Sequence, residues 1–433
     1  MNDTVSTPDP EGRLAAWRFL AGDSAAGLVE DVAIAIKGGL EPRDIASLRR
    51  HHPDAPIAEA IELVRARNKV AGRMADVDRL LMDRQGAEQA SSTVVAAWKA
   101  SRFGDRPVID LCSGIGGDAM ALAARGACRG VDRDPIRAFM TGFNAGIEGC
   151  VGEAEAVPVE GGLVHLDPAR RDESTGRRHW RIEDLSPGPD AIRAIVDRAE
   201  GGAIKLGPGL PRPFPEFHER QSVSIVSEHR RLVQAVVWTG SLAGVDSVEA
   251  VDLPSGEVLA GEPEEMPVGE SPSLETGPRN DGLLLVEFHP AVERASLGPV
   301  AWRNRFGDAF MSEPAAGLGL GLATLGDIPT SRRSVASSRW IRLTGVRAIE
   351  RPKLDRVEGA IRRLVDVGGR PARIVVRTRA AAIDADDWTR RLGRISDPSL
   401  GADGPTIEVH GLRFGRRTLV LIGDPFPVQE SSE

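Results

Sequence analysis

Along the first hundred residues the apolar positions return every three to four residues, the spacing of one buried helix face. Ile57, Ala60, Ile61 and Val64 carry this pattern, and an apolar pair follows at Leu80-Leu81. Ser91 and Ser92 are placed to cap a helix running through Val94, Val95, Ala97 and Trp98. Residues 1–100 are therefore expected to form an N-terminal helical region, with a short connector at 102–105.

From Pro107 the period changes. Short apolar runs at 107–112, 130–132, 162–167 and 202–206 read as strands, and the stretches 118–125, 135–146 and 190–199 read as helices. Strands separated by helices of that length point to βαβ units and a mostly parallel, Rossmann-like sheet. The runs 222–226, 232–238 and 247–253 are expected to extend it as an antiparallel edge. The stretch 254–281 is rich in Pro, Gly and Glu and reads as a mobile insertion. A strand at 282–288 follows, then a helix at 356–367, a strand at 372–377, a helix at 386–392 and strands at 407–410 and 418–422. The expected fold class is α/β over about 101–300, joined to an α+β domain over about 301–430.

Composition narrows the function classes. With 433 residues, 41% hydrophobic and 27% charged, the chain is a folded protein too long for one core. No apolar run approaches the ~20 residues of a membrane span, and the polar, acidic N-terminus lacks the pattern of a signal peptide. A cytoplasmic location is expected. Cys112, Cys128 and Cys150 offer neither a disulfide framework nor a CxxC pair, and no metal is expected. The net charge of −8 conceals an asymmetry: residues 330–424 hold 20 Arg or Lys against 11 Asp or Glu, a local excess of +9. A basic unit of this kind can face a polyanion.

The candidate chemistry begins at Asp110-Leu111-Cys112-Ser113-Gly114-Ile115-Gly116-Gly117-Asp118. Ligands of open α/β sheets sit beyond the C-terminal strand ends, and glycines in the first βα turn allow close approach. The spacing Gly114-x-Gly116-x-x-Ala119 also suits a dinucleotide. Asp110 tilts the choice. A carboxylate beside the turn suits the ammonium and sulfonium of S-adenosyl-L-methionine (SAM), and would oppose a pyrophosphate. Asp132, at the end of the second strand, is placed for ribose hydroxyls, with Arg133 beside it, and Glu153-Ala154 for the adenine side. Asp167-Pro168 ends the next strand, where an acid can orient an acceptor group. The loop beyond it carries Arg170, Arg171, Arg178 and Trp180, residue types that hold phosphates and stack on bases.

These residues resemble class I SAM-dependent methyltransferases with a C-terminal THUMP-like domain. The resemblance is carried by Glu88-Gln89-Ala90-Ser91 with 97–103, by 110–118 with Asp132-Arg133-Asp134-Pro135 and 166–171, and by Ser312-Glu313-Pro314-Ala315 with 340–350. Where relatives carry Tyr-Glu-Pro this chain has Ser312-Glu313-Pro314, and where amine methyltransferases carry Asp/Asn-Pro-Pro-aromatic it has Asp167-Pro168-Ala169-Arg170. The catalytic half looks most like the guanine-N2 RNA-cap branch. The resemblance implies SAM held by Asp110, Cys112, Ser113, Gly114, Gly116, Asp118, Asp132, Arg133, Glu153 and Ala154. It further implies an acceptor positioned by Asp167 and Pro168, and tRNA or rRNA as partner. Methylation of a protein or small molecule, and a catalytically silent SAM- and RNA-binding protein, are the alternatives.

Overall fold

The computed structural model describes residues 10–426 except 171–181, 210, 212, 268–271, 273, 315–317, 334–337, 402 and 415. Its chain divides into two compact units, Met1–Ser247 with Val251–Glu257, and Val248–Ala250 with Val258–Glu433.

Six helices open the first unit: α1 (Pro10–Leu20), α2 (Ala26–Lys37), α3 (Pro42–His51), α4 (Ile57–Val70), α5 (Arg84–Gln89) and α6 (Thr93–Phe103). The sequence pattern places α4 correctly, and its Ile57, Ala60, Leu63 and Val64 are buried. Ser92 is the N-cap of α6 and accepts from the Val95 amide at 3.2 Å. Next come β1 (Val108–Leu111), α7 (Gly117–Ala123), β2 (Cys128–Asp132), α8 (Pro135–Ala145), β3 (Glu148–Val151) and β4 (Leu163–Leu166). A two-residue pair, β5 (Ala169–Arg170) with β6 (Leu185–Ser186), precedes α9 (Pro189–Arg198) and β7 (Gly201–Leu206).

Within the sheet β3, β2, β1, β4 and β7 lie side by side and parallel. From β7 the sheet continues antiparallel through β9 (Arg231–Gly240) to β8 (Gln221–Glu228). β10 (Val248–Leu253) and β11 (Glu257–Gly261) complete the strand order. The chain leaves β1 for β2 on one side and later adds β4 on the other, so the switch point of strand order lies between β1 and β4. That is where a ligand crevice opens in such sheets.

The helical region is not an appendage. Trp17, Leu28, Leu63, Leu81 and Met82 share one core with Ile115 of the glycine turn and with Ile136 and Met140 of α8. Asp83 and Arg137 form a two-bond ion pair, 2.7 and 2.9 Å, and Asn144 donates to both Leu81 O and Ile115 O at 2.8 Å. The boundary expected near residue 100 therefore crosses a continuous core.

The second unit holds a seven-stranded sheet. It contains β12 (Gly277–Pro278), β13 (Leu283–Phe288), β14 (Leu320–Thr324), β15 (Ile341–Glu350), β16 (Arg373–Thr378), β17 (Thr406–Phe414) and β18 (Arg417–Pro425). Its pairs are antiparallel except β16 with β17. Helices α10 (Pro290–Ala295), α11 (Gly298–Phe306), α12 (Thr330–Arg333), α13 (Leu354–Gly368) and α14 (Ala385–Leu392) connect them. Val357 and Ile361 of α13 and Leu392 of α14 pack on Ile374, Val409 and Ile422. β13 pairs with β14 and β15, so its hydrogen bonds belong to this unit. The observed division thus falls at 248–257 rather than near 300. The stretch 254–281 contributes β11 and β12, and its residues 268–271 and 273 lie outside the described residues. No described helix is long and apolar enough to cross a membrane.

Asn144→Ala removes donors from two carbonyls and the acceptor of the Leu81 amide. Stability of the first unit should fall by roughly 2–3 kcal/mol, read from urea unfolding. A loss below ~0.5 kcal/mol would show that helical region and turn are not held as one body.

Candidate cofactor and acceptor site

The turn after β1 is shaped by three left-handed residues, Cys112 (φ 56°), Gly114 (φ 61°) and Gly116 (φ 83°). At Cys112 this conformation is strained, and neighbours hold it. The Ser113 amide donates to Val131 O at 3.1 Å, and the Thr141 hydroxyl donates to Gly114 O at 2.9 Å and lies 3.0 Å from Ser113 Oγ. Gly117 abuts Ala90, where an added Cβ would lie 3.2 Å from the alanine methyl. At Gly114 an added Cβ meets nothing within 4 Å, so open space lies against the turn.

Asp132 closes the far side. Its Oδ2 accepts from the Gly114 amide and its Oδ1 from the Asp134 amide, both at 2.9 Å. Burial pushes this carboxyl up, and the two amides oppose the shift. Each oxygen retains a second lone pair, so Asp132 can still receive a ribose hydroxyl. The Gly152 amide donates to Asp132 O at 3.0 Å, which brings exposed Glu153 and buried Ala154 to the same strand ends. Arg133 is exposed, 3.4 Å from Ser186 Oγ.

Asp110 departs from expectation. It is 1% exposed and pairs with His165 across from β1 to β4, Oδ1 to Nδ1 at 2.6 Å. Its Oδ2 is buried with no partner among the described residues. A ligand ammonium cannot reach it directly. Asp118 is likewise engaged inside: its Oδ1 lies 2.7 Å from Lys99 Nζ, an ion contact off the hydrogen-bonding direction, and its Oδ2 accepts from Ser91 Oγ at 3.0 Å. Lys99 Nζ also stands 3.3 Å from His165 Nε2. An ammonium only donates, so Nε2 accepts and the ring proton sits on Nδ1, toward Asp110. Burial pushes the Lys99 ammonium down and the Asp110 carboxyl up, each opposed by its partner. Burial would also raise Asp118, but Lys99 and Lys205 hold its carboxyl well below the usual range.

Asp167 lies at the next strand end, its amide donating to Leu111 O at 3.2 Å. Its Oδ2 meets Lys205 Nζ at 2.6 Å, and that ammonium also donates to Gln89 O at 3.1 Å and stands 3.8 Å from Asp118 Oδ2. Burial alone would lower the Lys205 ammonium; Asp167 and Asp118 raise it. Pro168 is buried beneath the strand end. Arg170 belongs to the β5–β6 pair, whereas Arg171, Arg178 and Trp180 lie outside the described residues.

The structure thus gathers the turn, Asp132, Glu153 and Asp167 at one set of strand ends, and withdraws Asp110 and Asp118 beneath them. Sequence reasoning missed Lys99 and His165. Their signal was a charged residue inside an apolar helix and a histidine inside an apolar strand. Burial pushes the Cys112 thiol up, which removes it as a nucleophile. Among the described residues no group of His, Cys, Asp and Glu is placed to hold a metal ion.

No protein-family model and no curated protein sequence matches this chain. Its fold is matched by a candidate methyltransferase from Porphyromonas gingivalis W83, with a TM-score of 0.61 at 15% identity over 97% of this chain and 100% of that one. A candidate SAM-dependent methyltransferase from Methanococcus maripaludis gives a TM-score of 0.20 at 20% identity, over 27% of this chain and 54% of that one. Magnesium protoporphyrin IX methyltransferase of Synechocystis PCC 6803, a structure with S-adenosylhomocysteine bound, gives 0.21 at 18% identity, over 29% and 58%. The full-length likeness shows that this chain shares the fold of the Porphyromonas gingivalis protein.

Lys99→Met should strand the Asp118 carboxylate and cost about 3–5 kcal/mol, whereas Lys99→Met with Asp118→Asn should recover most of it. Calorimetric unfolding of the two variants checks this, and equal losses would exclude a coupled pair. Asp118 has its folded pKa below its unfolded value, so on acidification the unfolded chain takes up the proton first. Its contribution is therefore present above the ordinary carboxylate range and lost as pH falls below it. Asp118→Asn should flatten the acid limb of the stability profile.

Proposed function

We propose that the protein transfers the methyl group of SAM to RNA, with tRNA or rRNA as acceptor. The observation that carries this reading is the adjacency of an open glycine turn and Asp132 to the Asp167–Lys205 pair at the switch point of the sheet. The site fits SAM with one change of role. Gly114 leaves room for the ligand, Cys112, Ser113 and Gly116 shape the turn, and Asp132 and Glu153 face the nucleoside. Asp110 and Asp118 brace the turn from below. SAM bound there supplies an electrophilic methyl carbon on a sulfonium.

The chain's own residues act on the other partner. Asp167, with Oδ2 held by Lys205, orients the acceptor through its remaining hydrogen-bonding capacity. Pro168 fixes the chain direction beside it. In-line displacement at carbon needs little acid–base help, so alignment and exclusion of water supply most of the rate. RNA as acceptor is supported by the +9 excess at residues 330–424. Arg170, Arg171 and Arg178 would contribute further phosphate contacts, and Trp180 a stacking surface.

Calorimetry with SAM, followed by transfer of labelled methyl groups onto total RNA, tests the proposal. Asp167→Ala should leave SAM affinity within about threefold and abolish transfer, because the acid acts on the acceptor. Loss of SAM binding would move Asp167 to the cofactor side. SAM binding without RNA labelling would favour a protein or small-molecule acceptor, or a silent binding protein.

A further inference from the structure

Several arginines of the second unit already have an acid. Arg303 pairs with Glu264, Arg342 with Glu408, Arg363 with Glu350 and Arg379 with Glu293. Arg351, Arg416 and Arg417 do not. All three are exposed, and no ion pair or side-chain hydrogen bond joins them to another described residue. They nevertheless converge on one cavity of about 760 Å³, together with Thr276, Thr418 and a single acid, Glu275.

The topology explains the convergence. Arg351 directly follows the end of β15, and Arg416 and Arg417 stand at the start of β18, which pairs with β15 through Glu350 and Val420. Thr276 directly precedes β12, whose Gly277 pairs with Ile349 of the same strand. Two chain segments thus bring the three guanidinium groups to one end of the sheet, and a third adds Glu275 and Thr276. Three like charges gathered beside a single acid repel one another, and an anionic ligand relieves that repulsion.

The lining decides what kind of anion fits. Apart from Pro352 and Leu419 it is polar, unlike the largely apolar walls that enclose a small organic ligand. Among the described residues it contains no aromatic ring on which a base could stack. Guanidinium groups match phosphate oxygens bidentately, and hydroxyls add single hydrogen bonds. We propose that Arg351, Arg416 and Arg417 form a phosphate-binding groove for the backbone of a single-stranded segment of RNA, read without regard to base. The purpose of this binding rests on the RNA-acceptor reading above; the groove itself does not.

The test uses the full-length protein and a labelled, unstructured RNA oligonucleotide, followed by fluorescence anisotropy across a salt series. Changing Arg351, Arg416 and Arg417 together to Gln should weaken binding roughly tenfold to a hundredfold at low salt. The dependence of log affinity on log salt should become shallower by about 2, three phosphates at ~0.7 each. Glu275→Gln should act in the opposite sense and tighten binding. SAM affinity should stay at the parent value in both variants, which also reports that they are folded. The proposal is overturned if the triple variant keeps the parent's affinity and slope. It is equally overturned if the parent binds vesicles of anionic phospholipid but not RNA. Loss of RNA affinity in the triple variant, with no RNA methylation by the parent, would uphold the groove and remove the RNA-acceptor reading.

Discussion

The first unit depends on a buried run of ionisable side chains beneath the glycine turn. Asp110 meets His165, His165 meets Lys99, Lys99 meets Asp118, and Lys205 joins Asp118 to Asp167. Its members come from α6, β1, α7, β4, β7 and the loop after β4, so one electrostatic chain ties the start of the sheet to its middle. Such groups are costly to bury singly and tolerable only when each finds a partner. The arrangement is therefore a constraint on geometry: a shift of any one strand end leaves a charge stranded. It sets the position of the turn as firmly as the apolar core does.

The helical region has the same role from the other side. Ser91 bonds Asp118, Gln89 O receives Lys205, and Ala90 lies against Gly117. All three sit on the short stretch Glu88–Ser91 that carries part of the resemblance noted in the sequence. That stretch is thus a structural element of the site, though it belongs to a segment that reads as a separate helical region.

Much of the architecture was legible because it is local. The helices at 57–70, 93–103, 135–145 and 354–368 follow from apolar spacing and caps, and the strands β1, β4 and β7 from compact apolar runs. β3 was not legible: Glu148, Gly149 and Val151 are exposed, so no burial pattern marks it. The domain boundary was misread because β13 looks the same whichever sheet it joins. The setting of Asp110 is hidden in sequence for a related reason. In sequence, a strand-end carboxylate that faces a ligand is indistinguishable from one that faces the neighbouring strand. Only the register of β1 against β4, which sets Asp110 beside His165, decides between them.

That register also changes why the turn suits one class of ligand. Contact between a motif acid and a cofactor ammonium is excluded by burial, yet the electrostatic preference survives in another form. Beneath the turn the carboxyl groups of Asp110 and Asp118 lie close to the Lys99 ammonium, while Lys205 pairs mainly with Asp167 at the strand end. Burial pushes the Asp110 carboxyl up, and its Oδ2 has no partner among the described residues. In a low-dielectric interior such an imbalance is felt over several ångströms. A cation held above the turn relieves it, and a pyrophosphate aggravates it. On the proposed SAM reading, the field of the interior, the space at the glycine turn and the hydrogen bonds of Asp132 would act together on a cationic nucleoside.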